Sequence, residues 1–228
     1  ASVRAAAARF TAEVGRLDIL VLNAGIGAGN PDVVWQTNHV GPFILTEALR
    51  PLLEAAAAQR GDARVVAVSS GAHKRAAISD TPYEPEQAGM SGAYGQSKLA
   101  QIMHMRELQR RVRAARPSMP GKAFRCIAVT PGLVRTNIFA GELSKRPLVL
   151  RLLAAPLIYL LSRSPQMGAE VIAMACLDDE LEGGEYLSNC LAKPANGQGD
   201  CADSEAAWAR CWQLTEKCAA DGDGRFEY

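Results

Sequence analysis

The sequence Leu17-Asp-Ile-Leu-Val-Leu-Asn-Ala-Gly25 decides the fold, because a continuous apolar run leads directly into a small polar turn. An apolar run that ends on turn-forming residues is typical of a strand buried on both faces of a parallel sheet. Residues 64–68 and 124–129 repeat this arrangement, and they end on Ser69-Ser-Gly71 and Thr130-Pro-Gly132. We therefore predict three buried strands, each followed by a turn that exposes its backbone or a hydroxyl group.

Helical patterns lie between and after these strands. They cover residues 1–14, 34–58, 94–116, 166–177 and 204–218, and a short last strand is predicted at 184–188. Strands that alternate with helices of ten or more residues predict an α/β fold, a doubly wound parallel sheet of the Rossmann type. We treat residues 1–228 as a single domain. In such sheets, ligands bind beyond the carboxyl ends of the strands.

The composition is that of an ordinary globular domain, with 48% apolar residues, 21% charged residues and a formal net charge of +1. Because so small a charge creates no field that attracts polyanions, no nucleic-acid partner is predicted. The six cysteines and three histidines follow no metal-binding spacing, so no metal site is predicted. Scattered cysteines in an α/β pattern indicate reduced thiols rather than a disulfide framework.

Tyr94-Gly-Gln-Ser-Lys98 is the segment that carries chemistry, and it opens a helical pattern. Residues four apart share a helix face, so the phenol and the ammonium are expected side by side. A nearby Lys⁺ would lower the pKa of Tyr94 from about 10 toward a value useful in acid–base catalysis. Ser70 is placed to bond a substrate oxygen, and Asn38 to hold a backbone group or a water behind Lys98. Taken alone, Tyr-x-x-x-Lys fits a solvated helix face equally well.

The order of these features resembles the short-chain dehydrogenase/reductase family from Val14 to the C-terminus. The features are Asn23-Ala-Gly25, Thr37-Asn38, Ser69-Ser70, Tyr94…Lys98 and Pro131-Gly132…Thr136. Residues 38–43, 69–73, 94–100 and 184–190 are similar to the retinol dehydrogenase / WW-domain oxidoreductase-like branch. Nucleotide-sugar epimerases share Tyr-x-x-x-Lys, but segment 131–136 and the lack of a larger substrate domain argue against them.

The resemblance implies a catalytic set of Asn38, Ser70, Tyr94 and Lys98. Tyr94 would donate the proton in reduction and accept it in oxidation, while Lys98 would lower its pKa. Ser70, rather than Ser69, would orient and polarise the substrate carbonyl. Asn38 would anchor a proton-relay water.

The resemblance also implies an NAD(P) cofactor, with NADP slightly favoured over NAD. The implied cofactor-binding residues are Asn23, Ala24 and Gly25 near the adenosine ribose, Tyr94 and Lys98 near the nicotinamide ribose, and Pro131, Gly132, Val134 and Thr136 along the nicotinamide. The implied reaction interconverts an alcohol and a carbonyl on a small lipophilic substrate such as a retinoid, a sterol or a hydrophobic aldehyde. The implied location is intracellular, either cytoplasmic or membrane-associated. Peripheral membrane contact and oligomerisation stay open.

The start of the sequence departs from the family pattern. No Gly-x-x-x-Gly-x-Gly precedes Asn23, although the family begins with a strand and a Gly-rich turn that binds pyrophosphate. We expect roughly seventy residues with three strands to be absent from the domain. Strand 17–22 would then be an unpaired, hydrophobic sheet edge, open to aggregation or to a partner. The alternative function is a truncated, non-catalytic remnant that cannot bind the dinucleotide alone.

Residues 148–161 form an apolar stretch interrupted by Arg151 and Pro156. Because a bilayer span needs about 20 apolar residues, no simple span is predicted here. The stretch follows Pro131-Gly132, where the family places its substrate lid, so we favour a lid or lipophilic substrate wall over interfacial membrane contact or a core helix. The loop at 72–92 must fold back to bring Ser70 and Tyr94 together.

Overall fold

A five-stranded sheet organises the computed structural model, which describes residues 2–78, 92–134, 162–195 and 202–221. The strands are β1 (Ile19–Leu22), β2 (Ala63–Val68), β3 (Phe124–Thr130), β4 (Tyr186–Ser188) and β5 (Leu191–Ala192). They lie side by side in chain order; the first four are parallel, and β5 runs antiparallel to β4. The prediction of a largely parallel α/β sheet is confirmed. The two-residue strand β5 was not predicted.

The helices lie close to the positions that the sequence patterns predict. They are α1 (Ser2–Glu13), α2 (Pro31–Trp35), α3 (Gly41–Arg60), α4 (Ala93–Ala115), α5 (Pro165–Leu177) and α6 (Glu205–Asp221). A 3-10 turn, Gly71–Arg75, follows β2. A proline or a capping side chain begins some of these helices; in α5, the Ser164 hydroxyl accepts a hydrogen bond from the Met167 N–H.

Alternate residues of the central strands face two separate cores. Val65 and Cys126 pack into the larger core, which holds residues of α3, α4 and α6. Val66 and Ile127 point to the other face of the sheet and pack against residues of α5. Because strand side chains alternate in direction, helices on both faces bury β2 and β3 completely.

Strand β1 is the exception to the prediction of burial on both faces. Ile19 and Val21 are 37% and 40% exposed, and Leu22 is buried. The prediction of full burial is wrong for this strand, because within the described residues β1 pairs with β2 alone and forms the edge of the sheet. The predicted hydrophobic edge is therefore present.

A π-helical turn, Gln36–Val40, interrupts the helix predicted over 34–58. Here the Gly41 N–H donates to the Gln36 carbonyl, five residues back, instead of four. Pro42 lies four residues after Asn38 and has no N–H, so the Asn38 carbonyl lacks the donor that a regular α-helix would supply. This turn brings Asn38 into the interior beside α4 with its carbonyl open to a side-chain donor.

Candidate active site

An open cleft of about 140 Å³ lies at the carboxyl ends of β1, β2 and β3. It is lined by Asn23, Gly25, Val68, Ser69, Ser70, Tyr94, Lys98, Pro131, Gly132 and Val134. Each of these strands stops at its small or polar residues, so the backbone and hydroxyl groups of three turns face a single space. This is the position at which a parallel sheet binds ligands.

Ser70 and Tyr94 meet in this cleft. Ser70 follows β2, Tyr94 lies in the first turn of α4, and both residues line the cleft. Ser70 Oγ also accepts from the Ala72 N–H at 3.3 Å, and this bond caps the 3-10 turn and holds the hydroxyl at the cleft. The expected approach of these two residues across the intervening loop is therefore present, although residues 79–91 of that loop lie outside the described part of the chain.

Ser69 has a different environment from Ser70. It is 3% exposed, and its hydroxyl donates to the Lys98 carbonyl at 2.7 Å. Because its hydroxyl hydrogen is used in this bond, Ser69 ties β2 to α4, whereas Ser70 faces Tyr94. The geometry favours Ser70 over Ser69 for contact with a substrate.

Lys98 lies one helical turn beyond Tyr94 and is buried. Its Nζ donates to the Val68 carbonyl at 2.9 Å and to Gln101 Oε1 at 3.2 Å, and it lies 5.7 Å from the centroid of the Tyr94 ring. Burial lowers the pKa of the Lys98 amine to about 8. The side chain thus sits beneath Tyr94, as the four-residue spacing predicts, and not on a solvated face.

The predicted lowering of the Tyr94 pKa is wrong for this structure. Burial raises the pKa of the phenol, and the nearby Ser70 hydroxyl opposes that rise only in part. The Lys98 ammonium is directed to Val68 and Gln101, so its charge does not offset the cost of removing the phenolate from water.

Asn38 holds together the residues behind Lys98. Its side-chain amide exchanges two hydrogen bonds with the backbone of Ile26, at 2.8 and 2.9 Å, and donates to Ser97 Oγ at 3.1 Å. Its carbonyl accepts from Gln101 Nε2 at 2.6 Å. Of the two predicted partners of Asn38, a backbone group or a water, the structure thus shows the backbone group, and the Asn38 carbonyl receives a side-chain donor. Gln101 was not predicted to belong to the site. The feature that could have indicated it is a polar residue three positions after Lys98, on the inner face of α4.

The turn after β1 packs tightly against the same group. A Cβ on Gly25 would lie 3.1 Å from Asn38 Oδ1 and 3.4 Å from Lys98 Nζ, so a larger residue would press on both. Asn23 and Gly25 line the cleft, whereas Ala24 between them is exposed and is not among the lining residues.

The turn after β3 forms the opposite wall. Pro131, Gly132 and Val134 line the cleft, and Gly132 has a φ of +84°, a left-handed conformation that favours glycine. Val134 forms a parallel bridge with Arg163, immediately before α5. Thr136 and the apolar stretch 148–161 lie outside the described residues.

Two further properties concern the described residues alone. No helix there is both long and apolar enough to cross a bilayer. No group of three or more His, Cys, Asp or Glu residues in those ranges is arranged to hold a metal ion.

The chain belongs to the short chain dehydrogenase family, because the model of that family matches residues 1–147. A parallel sheet with a Tyr–Lys pair on the following helix is the arrangement that the resemblance predicted.

Individual relatives place the chain in the retinol dehydrogenase-like branch. It is 34% identical over 234 residues to Dehydrogenase/reductase SDR family member 13 of Bos taurus, and the match covers 98% of this chain and 58% of that protein. It is 32% identical over 230 residues to Retinol dehydrogenase 14 of Mus musculus, and the match covers 94% of this chain and 63% of that protein. The chain thus spans less than two thirds of the length of these two relatives.

A solved structure supports the same fold. The crystal structure of an uncharacterized protein from Mycobacterium Paratuberculosis has a TM-score of 0.59 and 27% sequence identity, and the match covers 95% of this chain and 72% of that one.

Proposed function

We propose that the protein is an NAD(P)-dependent oxidoreductase that interconverts an alcohol and a carbonyl. The observation that carries this proposal is that Ser70 and Tyr94 line one strand-end cleft, with the buried Lys98 amine 5.7 Å from the Tyr94 ring. A phenol and a hydroxyl that face one space can both contact the same substrate oxygen, as alcohol–carbonyl chemistry requires.

Each side chain has a role that follows from its surroundings. In reduction, the Tyr94 hydroxyl gives its proton to the substrate oxygen, and its raised pKa keeps it protonated until that oxygen becomes negative. In oxidation, the same atom takes the proton back. Ser70 donates a hydrogen bond to the carbonyl oxygen and holds it beside Tyr94. Lys98 is buried and tethered, so it presents a donor at a fixed position.

The lining of the cleft suits the nicotinamide ring and its ribose. The turns at Asn23 to Gly25 and at Pro131 to Gly132 offer small residues and exposed backbone, which allow close approach of a flat ring or a ribose. Val68 and Gln101 use two of the three Lys98 N–H donors, and the third is available to a ribose hydroxyl. When bound, the nicotinamide supplies or takes up the hydride. Val134 and Thr136 would complete that wall.

A lipophilic substrate, such as a retinoid, a sterol or a hydrophobic aldehyde, is the class we favour. The name of one relative, Retinol dehydrogenase 14, supports this choice, as does the apolar composition of residues 148–161. NADP is favoured slightly over NAD, and peripheral membrane contact would bring such substrates within reach.

The experiment is an assay of NADPH or NADH oxidation with retinal and with a long-chain aldehyde. Tyr94→Phe should lower kcat by about 10²-fold or more while leaving the Kd of the cofactor nearly unchanged, because only the transferable proton is lost. Tyr186→Phe is the matched control, since Tyr186 is a buried tyrosine on β4 that bonds Thr130 at 2.9 Å and does not line the cleft.

Two results would contradict the proposal. The first is turnover in Tyr94→Phe at the rate of the unchanged chain. The second is a folded chain, by circular dichroism, that causes no change in NADPH or NADH fluorescence at millimolar cofactor.

A further inference from the structure

Gln101 lies deep in the interior, between the two groups that the proposed function places behind Tyr94. The side chain is 1% exposed and projects from α4 one turn after Lys98. Its Nε2 donates to the Asn38 carbonyl at 2.6 Å, and its Oε1 accepts from Lys98 Nζ at 3.2 Å. A single carboxamide therefore spans the interval between the ammonium and the π-helical turn.

The orientation of this carboxamide is decided by its partners. The Asn38 carbonyl only accepts hydrogen bonds, so the NH₂ end must face it. The protonated Lys98 amine only donates, so the oxygen end must face it. Both contacts are satisfied in one orientation and lost in the flipped one, which fixes the side chain as a bridge with a defined direction.

The Asn38 carbonyl is available to Gln101 because of the local backbone. Pro42 cannot supply the N–H that an α-helix would place there. A buried carbonyl without a donor is costly, on the order of 1–3 kcal/mol, so a side-chain donor is strongly favoured at this point. Gln101 meets this need and, with its other end, restrains Lys98.

We propose that Gln101 is a positioning residue that fixes the Lys98 ammonium beneath Tyr94. The inference rests on the proposed function, in which Lys98 presents a donor to the cofactor ribose.

A purely structural role would be different: Gln101 would satisfy the Asn38 carbonyl and have no effect on Lys98. The titration of Lys98 separates the two roles. The surroundings make this titration easy to interpret, because burial is the one resolved cause that shifts the Lys98 pKa, and Tyr94 is the titratable group whose ring lies nearby among the described residues.

The experiment follows the ¹³Cε signals of the labelled lysines in the full chain by NMR as a function of pH, with Lys98→Arg used to assign the Lys98 signal. Gln101→Met keeps the side-chain length and removes the acceptor. We expect the Lys98 titration midpoint, about 8 in the unchanged chain, to fall by roughly one to two pH units, as loss of a hydrogen bond to an ion requires. Gln101→Asn is too short to reach both partners, so it should move the midpoint in the same direction if the Met variant does not fold.

Gln96→Met is the control, since Gln96 lies on the same helix and its Nε2 donates to the Ala77 carbonyl at 3.2 Å, away from Lys98. It should leave the Lys98 midpoint unchanged. If the protein catalyses the reaction, the pH at which kcat changes should shift together with the Lys98 midpoint in the Gln101 variants. KM for the carbonyl substrate should stay the same.

A Lys98 midpoint that is the same in Gln101→Asn, in any folded Gln101→Met and in the unchanged chain would overturn the inference, whatever the activity. A shifted midpoint in a chain that shows no turnover would support the positioning role and count against the proposed function alone.

Discussion

Lys98 is a single residue that holds an ammonium group where only 5% of the side chain meets solvent, and burial lowers its pKa to about 8. In the unfolded chain the same amine has its ordinary pKa of 10.5. Between these two values the unfolded state binds more protons than the folded state, so the free energy of unfolding should rise as pH increases from about 8 to 10.5. Below pH 8 the cost of burying the charge is fully present.

Replacing Lys98 should therefore stabilise the fold and abolish turnover. We expect Lys98→Met to raise the free energy of unfolding at pH 7 by an amount on the order of 1–3 kcal/mol, which is the burial cost less the hydrogen bonds that are lost. Urea unfolding at pH 7 and pH 10 measures this. The difference between variant and unchanged chain should shrink at pH 10, and a difference that is constant with pH would contradict the assigned titration.

For neighbouring residues of the site, some properties could be predicted from the sequence and others could not. The spacing of Tyr94 and Lys98 predicted that they share a helix face, because helical geometry depends on local sequence alone. It did not predict the raised Tyr94 pKa or the contact of Gln101 with Asn38. Those depend on burial and on two segments 63 residues apart in sequence, which no local pattern specifies.

At the scale of single elements, the two residues that connect β4 and β5 in a hairpin both have left-handed backbone conformations. Asn189 has a φ of 58° and Cys190 a φ of 57°, and the flanking Ser188 and Leu191 are paired. A two-residue turn with positive φ at both positions is the type that prefers Asn followed by Gly. A cysteine at the second position therefore carries strain.

Cys190→Gly should relieve that strain. We expect the free energy of unfolding to increase by about 0.5–1 kcal/mol, because glycine adopts the left-handed conformation without a Cβ clash. Cys176→Gly is the control with the opposite sign, since Cys176 lies inside α5 and packs against the core, so glycine should destabilise the fold there. Chemical denaturation of both variants under reducing conditions checks the pair, and equal destabilisation by the two would refute the strain.

Strands β2 and β3 were predicted in both position and burial, β1 was predicted in position but not in burial, and the π-helical turn was not predicted. Val65 to Val68 and Cys126 to Val129 are apolar because helices cover both faces, so composition and burial agree. The run at residues 17–22 has the same composition, but its exposure depends on which neighbours stand beside it. The π-helical turn depends on Pro42, which has no N–H. In the sequence, Pro42 was considered only as part of the motif at residues 38–43.

At the scale of the whole molecule, we expect association to occur at the sheet edge formed by β1. Ile19 and Val21 present an apolar strand whose outer backbone groups have no strand partner among the described residues. Such an edge is a template for pairing with another chain. We expect Val21→Lys to reduce concentration-dependent self-association, seen as a later onset of light scattering.

The matched control is Val33→Lys. Val33 is 46% exposed and lies on α2, so the same charge is introduced away from the sheet edge. Both variants gain one positive charge, and only the edge variant should resist association. An equal effect of the two substitutions would assign the change to net charge instead.

The close packing of Gly25 against Asn38 and Lys98 connects the turn after β1 with the Lys98 ammonium. The turn after β1 is bonded to Asn38 through the backbone of Ile26, and Asn38 reaches Lys98 through Gln101. A ligand that orders this turn therefore alters the free energy of protonating Lys98. By reciprocity, protonation of Lys98 must change the affinity for that ligand by the same factor. Ligand affinity and the Lys98 titration are then two measurements of a single coupling energy, transmitted through one buried asparagine.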